Sequence, residues 1–349
     1  MMSSVLWLSV SLLVLVQVSA VENCHPGCRC DVESFGLFDS FSLTRVDCSG
    51  LKPGATMPIP IPLDTAHLDL SSISMGQLTD AMLSGPGYTT LVSLDLSSNH
   101  ITTVSPSALS RLRYLESLDL SHNSLTALTL DLFYGLPLSD VDISYNDFHD
   151  FDMNVFATKV NAEPVTLDLS NNKLTTVTTA ANGKTLHIQS LNLSANLFTS
   201  VPKLSGLPLR YLNMDANPIK RIREAAFLPL EELVYLSISG CKELWEIEQF
   251  SFKGLQSLQV LDLSNNPNLK KLDPKVFMGL DSLQELNLSN SGVVSLQNDM
   301  LAHLPSIKSI TLGQDIRCWK TKKPGQFHLH LGQLQPTEVL ICNAEGIGL

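Results

Sequence analysis

The chain has 349 residues, with 23 Lys plus Arg against 34 Asp plus Glu, for a formal charge of −11. That balance argues against nucleic-acid binding, which needs clustered Lys and Arg on phosphates, and points to basic protein partners. Length alone allows two domains, but one internal repeat runs through most of the chain and argues for a single elongated unit.

The first twenty residues carry no charge, and Val5 to Val16 is almost continuously apolar. Val18-Ser19-Ala20 offers the small residues that a signal peptidase reads, so residues 1–20 are expected to be a cleaved signal peptide. The run is shorter than the roughly twenty apolar residues that span a bilayer, and no later stretch qualifies. The expected protein is secreted, extracellular and not membrane-spanning.

Residues 21–62 form the expected N-terminal cap, with Cys24, Cys28, Cys30 and Cys48. Cys241 lies within the repeats, and Cys318 and Cys342 fall in a C-terminal cap over 317–349. Behind a signal peptide, such end clusters read as disulfide caps, and four cysteines allow three pairings. A zinc site at Cys24-x3-Cys28-x-Cys30 is disfavoured by the oxidising route and by the position of His25, so no metal and no cofactor is expected.

Between Thr65 and Asp315 the chain writes Leu-x-x-Leu-x-Leu-x-x-Asn eleven times. Copies begin at Thr65, Leu91, Leu115, Leu138, Pro164, Ile188, Leu209, Leu233, Leu258, Leu283 and Ile307, 21 to 26 residues apart. This period predicts an α/β leucine-rich-repeat solenoid over 63–316, a curved horseshoe with a parallel concave β-sheet. Leu94 and Leu96 should face the core, while Ser93, Asp95 and Ser97 face outward. Leu109, Phe133, Phe156, Phe227, Phe252, Phe277 and Leu301 are expected to fill the convex half as a spine.

The closing Asn recurs at Asn99, Asn123, Asn146, Asn172, Asn196, Asn217 and Asn266. Its amide can donate and accept, so it suits a buried turn. Ile73, Cys241, Ser291 and Asp315 break the rule, so the first repeat is expected to be irregular and Cys241 is read as a buried structural thiol. The unit from Pro164 to His187 is expected to carry a loop on its convex side.

The middle outward position reads Asp69, Asp95, Asp119, Asp142, Asp168, Asn192, Asn213, Ser237, Asp262, Asn287 and Thr311. Asp140, Asp215 and Glu285 flank it, and no Lys or Arg occupies these positions. One reading is plain repeat consensus. The other is an acidic stripe from Asp69 to Asp168 that receives a cationic patch of a growth factor or receptor. Two sequons, Asn192-Leu193-Ser194 and Asn287-Leu288-Ser289, share that column. Glycans there would crowd the cup, so contacts are expected to favour the first five repeats. Lys220-Arg221-x-Arg223 and Lys320 to Lys323 are short basic runs, for which heparan sulfate is a candidate partner. No nucleophile elbow, zinc-protease or phosphate-loop pattern occurs, so no enzyme is expected.

The spacing Cys-x3-Cys-x-Cys-x17-Cys, then repeats and a final cysteine pair, resembles the small leucine-rich proteoglycan family. Glu33 to Cys48, Ile61 to Ser72, Gly85 to Leu91, Arg111 to Asn123 and Gly313 to Cys318 resemble one secreted branch of it. The resemblance implies bridges Cys24–Cys30, Cys28–Cys48 and Cys318–Cys342. It also implies a modulator of developmental signalling. The implied partners are bone morphogenetic proteins (BMP), chordin, Frizzled receptors of Wnt signalling, TGF-beta, FGF and Delta-type Notch ligands. The alternative is a structural matrix protein that binds collagen. The even spacing of the last repeats, without the long repeat of collagen-binding members, counts against that alternative.

Overall fold

The computed structural model describes residues 23–35, 41–52, 55–157, 163–179, 186–293, 295–296, 300–313, 316–323, 327–328, 333–334 and 337–344. The expected signal peptide lies outside them.

One fifteen-stranded sheet organises the molecule. Two cap strands come first, β1 (Arg29–Phe35) and β2 (Phe41–Asp47). Eleven repeat strands follow, starting with β3 (Thr65–Asp69), β4 (Ser93–Asp95), β5 (Ser117–Asp119), β6 (Asp140–Asp142) and β7 (Val165–Asp168). Next come β8 (Ile188–Asn192), β9 (Tyr211–Asn213), β10 (Tyr235–Ser237), β11 (Val260–Asp262), β12 (Glu285–Ser289) and β13 (Ser309–Gly313). The far end is β14 (Ile316–Lys323) and β15 (Thr337–Ala344). Strands β2 to β13 pair in parallel, while β1 on β2 and β13–β14–β15 are antiparallel. Eleven repeat strands at about 4.8 Å make an arc face roughly 50 Å long.

The alternation of the repeat explains the core. Leu68, Leu94, Leu118, Val141, Leu167, Leu191, Leu212, Leu236, Leu261, Leu286 and Ile310 are all at most 2% exposed. They are direct register partners from strand to strand. Each repeat therefore stacks its leucine on those of the adjoining repeats, the nearest-neighbour logic of a solenoid.

The convex side differs from a helical layer. Among the described residues it carries four short 3-10 turns, at Pro86–Tyr88, Met153–Phe156, Pro274–Phe277 and Met300–His303, and no α-helix. Too few residues remain after the strand and its two turns to nucleate a helix of several turns. Gly135, Gly206, Gly254 and Gly279 at positive φ interrupt what remains. In the unit from Pro164, Thr176–Thr178 pairs with Asp150–Asp152 as a small parallel sheet. The expected loop falls mostly on residues 180–185, outside the described residues.

Leu109, Phe133, Phe156, Phe227, Phe252 and Phe277 are buried, and Leu301 is half-buried. Phe133 meets Phe156 at 5.1 Å between ring centroids, and Phe227 stacks on Phe252 at 5.7 Å. Phe148 and Phe198, two residues past their repeat asparagines, add ring volume where other repeats place Ile101 or Leu125.

Leaving the sheet, the chain turns through a left-handed residue in each of the first ten repeats. Ser72, Ser98, His122, Tyr145, Asn171, Ala195, Ala216, Gly240, Asn265 and Asn290 have φ between 52° and 66°. Each donates its N–H to a carbonyl of the next repeat, as Ala216 does to Ser239 at 2.8 Å and Gly240 to Ser264 at 3.0 Å. That conformation costs an L-residue about 1 kcal/mol. Ala216→Gly is therefore expected to stabilise the fold by about 1 kcal/mol, and Gly240→Ala to destabilise it similarly. A Cβ at Gly240 would approach nothing nearer than 3.8 Å, so packing does not confuse the comparison. Denaturant midpoints of the pair decide it; a destabilising Ala216→Gly would contradict the turn.

Disulfides tie down the N-terminal cap, Cys24 to Cys30 and Cys28 to Cys48. Cys48 and Leu51 are buried with Val46 against the first repeat. At the other end Cys318 is buried and disulfide-bonded, with Cys342 directly opposite it in the β14–β15 register.

Candidate protein-binding face

The structure places Asp69, Asp95, Asp119, Asp142 and Asp168 in one straight row, each the register partner of the next. The row continues through Asn192, Asn213, Ser237, Asp262, Asn287 and Thr311. In the other direction it extends one step further, because Asp47 on the cap strand pairs with Asp69.

These carboxylates have a structural task. One oxygen of each accepts the N–H two residues on: Asp69 from Ser71, Asp95 from Ser97, Asp119 from Ser121, and Asp142 from Ser144, all at 2.8 Å. This is an Asx turn that closes the strand, a reason for the Leu-Asp-Leu-Ser consensus independent of any ligand. The second oxygen separates the row into two parts. In Asp168 and Asp262 it accepts the amides of Asn192 and Asn287, at 2.8 and 2.9 Å. In Asp69, Asp95 and Asp142 it has no hydrogen-bond partner among the described residues, whereas Asp119 also accepts from the Ser121 side chain. Burial pushes the Asp119 carboxyl above its ordinary value, and the neighbouring Asp95 and Asp142 charges push the same way. The hydrogen bonds from Ser49 hold Asp47 below its ordinary value, assisted by Arg29.

The absence of cations holds for the eleven repeat strands but not for the whole sheet. The cap sets Arg29 beside Asp47 and Arg45 beside His67 in register. Arg29 pairs with Asp31 at 2.7 Å and Arg45 with Glu33 at 3.7 Å. A cap has no repeat to count from, so this part of the face is not legible from the column.

Asp215 also acts structurally. Its neighbour Ser237 lacks a carboxylate for the Asx turn, and Asp215 reaches across from the preceding repeat to supply one. It accepts from Ser237 Oγ and from the Ser239 N–H, both at 2.6 Å.

The asparagines work backward along the stack. Asn146 donates to Ile143 and Ser144 in its own repeat and to Leu120 in the preceding one, and it accepts the Leu125 N–H at 2.9 Å. Asn99, Asn123, Asn172, Asn196 and Asn217 repeat this pattern. At Ile73 the first repeat departs from this pattern, since the N–H held is that of the slot residue itself and Ser74 and Gly76 add further positive φ. Asn99 holds that turn from outside, accepting the Ile73 N–H at 2.9 Å and donating to Leu70 at 2.7 Å. Cys241 fills the Asn slot with a weak bond from Sγ to the Met214 carbonyl at 3.7 Å, and burial pushes its thiol up to about 11. Leu244 lies three residues past Cys241, not the usual two, and its N–H turns to the Cys241 carbonyl. Asn266 is left with a buried, unpartnered Oδ1.

Two aromatic features are invisible in the middle column. His122 stacks on Tyr145 at 4.1 Å between centroids, on the left-handed edge. Tyr211 and Tyr235 face the cup at 6.4 Å. Reading the position two residues before the Asp row along all repeats would have found this second pair.

An unbroken concave sheet with a polar lining defines a leucine-rich-repeat protein of the non-enzymatic, protein-interaction class. The Leucine rich repeat family matches residues 89–157, 231–293 and 267–316. The chain is 56% identical to Tsukushi of Danio rerio over 346 residues, 99% of both chains. It is 54% identical to Tsukushi of Gallus gallus over 321 residues, 92% of this chain and 87% of that one. The chain belongs to the Tsukushi family. Among solved structures, the mouse RP105/MD-1 complex superposes with TM-score 0.55 at 23% identity, covering 71% of this chain and 42% of that one. That likeness concerns the fold alone. Among the described residues no helix is long and apolar enough to cross a membrane.

Proposed function

We propose that this chain is a secreted extracellular modulator of developmental signalling. Its concave face captures growth factors, their antagonists or receptor ectodomains. The candidates are BMP, chordin, Frizzled, TGF-beta, FGF and Delta-type ligands. The observation that carries the reading is the run of four consecutive carboxylates, Asp69 to Asp142, of which Asp69, Asp95 and Asp142 keep one oxygen without a hydrogen-bond partner among the described residues. Neighbouring carboxylates about 5 Å apart repel by roughly 0.8 kcal/mol even in water. A basic protein surface relieves that repulsion on binding, and complementary charge also speeds the encounter.

The test is the variant Asp95→Asn, Asp119→Asn, Asp142→Asn. Asparagine keeps the acceptor for the Ser N–H, as Asn192 and Asn287 already do in this row. The variant should fold as the parent does. It should gain slightly at neutral pH, because the folded state holds the Asp119 proton more tightly than the unfolded state and loses stability as pH rises through that interval. Affinity for immobilised BMP or chordin should fall about tenfold, with a flatter salt dependence. Unchanged affinity removes the acidic row from the reading, and capture of collagen in place of every signalling protein replaces the reading altogether.

A further inference from the structure

The concave face holds a second row, two residues before the aspartates, made of His67, Ser93, Ser117, Asp140, Thr166, Ser190, Tyr211, Tyr235, Val260, Glu285 and Ser309. It is polar from His67 to Ser190 and then changes character. Tyr211, Tyr235 and Val260 are consecutive register partners, and Glu285 follows Val260. Tyr211 is 50% exposed, and Tyr235 and Val260 are half-buried. Glu285 is exposed and makes no ion pair or hydrogen bond through its carboxylate among the described residues. Lys308, just before the next strand, donates to Gln284 Oε1 instead, at 2.6 Å.

We infer that this row is a docking surface for an extended protein segment that presents an apolar side chain and, four residues later, a lysine or arginine. The inference deepens the binding reading above, from which it takes only the concave face as a protein-capturing surface. Tyrosine supplies a large contact area with little rotamer entropy to lose, which is why it anchors interfaces. The two rings, at 6.4 Å and tilted by 34°, form one wall that runs across the strands, along the stacking axis. Val260 extends the apolar surface, and the free Glu285 carboxylate terminates it. Three strand spacings of about 4.8 Å separate Tyr211 from Glu285, about 14 Å in all. Four residues of extended chain at about 3.4 Å each cover the same distance. The charge around the row fixes the sign. Asp215 and Asp262 sit beside the apolar stretch and Glu285 closes it, with Arg210 the cation at the opposite end. A basic residue over Glu285 is attracted there, whereas an acidic one meets three carboxylates.

The probe is a displayed library of random dodecapeptides selected on the full secreted chain, independent of any growth factor. Enriched peptides should share an apolar or aromatic residue four positions before Lys or Arg. Tyr211→Ala should weaken them about tenfold, and Glu285→Lys should select acidic residues at the basic position. Tyr211 is half exposed, so its truncation leaves the core intact, and an unchanged unfolding midpoint establishes that. Absence of the motif, or equal binding of the enriched peptides to parent and Tyr211→Ala, overturns the inference. The Asp95, Asp119, Asp142 variant should bind the peptides as the parent does. Peptides that bind through Tyr211 while no signalling protein binds would leave this row standing and defeat the proposed function.

Discussion

Phe252→Ala is expected to destabilise the protein by about 3–5 kcal/mol. Phe252 has no exposed surface and stacks on Phe227 at 5.7 Å, in a spine of rings that fills the convex half of the core. Removing the ring leaves a cavity that the surrounding turns cannot close. Phe227 is committed to its own repeat, and the turn at Gly254 is so close to Leu228 that a Cβ added there would come within 3.0–3.3 Å of its atoms. In a stack whose units touch only their neighbours, the damage also weakens coupling between the repeats on either side. Equilibrium urea unfolding should show the full loss, with Phe252→Leu recovering more than half of it. A loss under about 1 kcal/mol would mean that the spine is not packed as described.

Asn146→Ala should cost about 2–4 kcal/mol, the second largest effect expected. One amide there satisfies carbonyls of Leu120, Ile143 and Ser144 and the N–H of Leu125. Alanine leaves these backbone groups buried and without their partner, and no neighbour replaces it. The same change at Asn266 should cost clearly less, since its Oδ1 is already unpartnered and only Ile238 and Leu263 depend on it. Denaturant midpoints for the two variants give the ranking. If Asn266→Ala costs as much as Asn146→Ala, hydrogen bonding does not explain the ladder.

Much of this architecture was readable in the chain. Leucines at period two, an asparagine closing each copy and a regular interval between copies leave little freedom in how the units stack. The core row from Leu68 to Ile310 and the row from Asp69 to Thr311 both follow from counting. What counting misses is whatever passes between repeats of unequal length. Asn99 holding the turn of Ile73, Asp215 serving Ser239, and Asn192 occupying the outer oxygen of Asp168 all depend on which atoms face each other across the stack. The left-handed turn residues were equally hidden. Serine, histidine, tyrosine, asparagine and alanine share no chemistry that signals positive φ; a bond to the next repeat imposes it on each. Arg29 and Arg45 enter the face from a cap that has no period.

The sheet opens and closes on antiparallel strands, and this has a bearing on solubility. A pile of identical parallel units has no natural last member, because each bare end displays the surface its successor would cover. Left open, it would serve as a template on which further copies add head to tail into fibres. Reversing the chain direction at both extremities removes the match, since an incoming repeat finds neither its register nor its apolar seat. The molecule is thereby made finite.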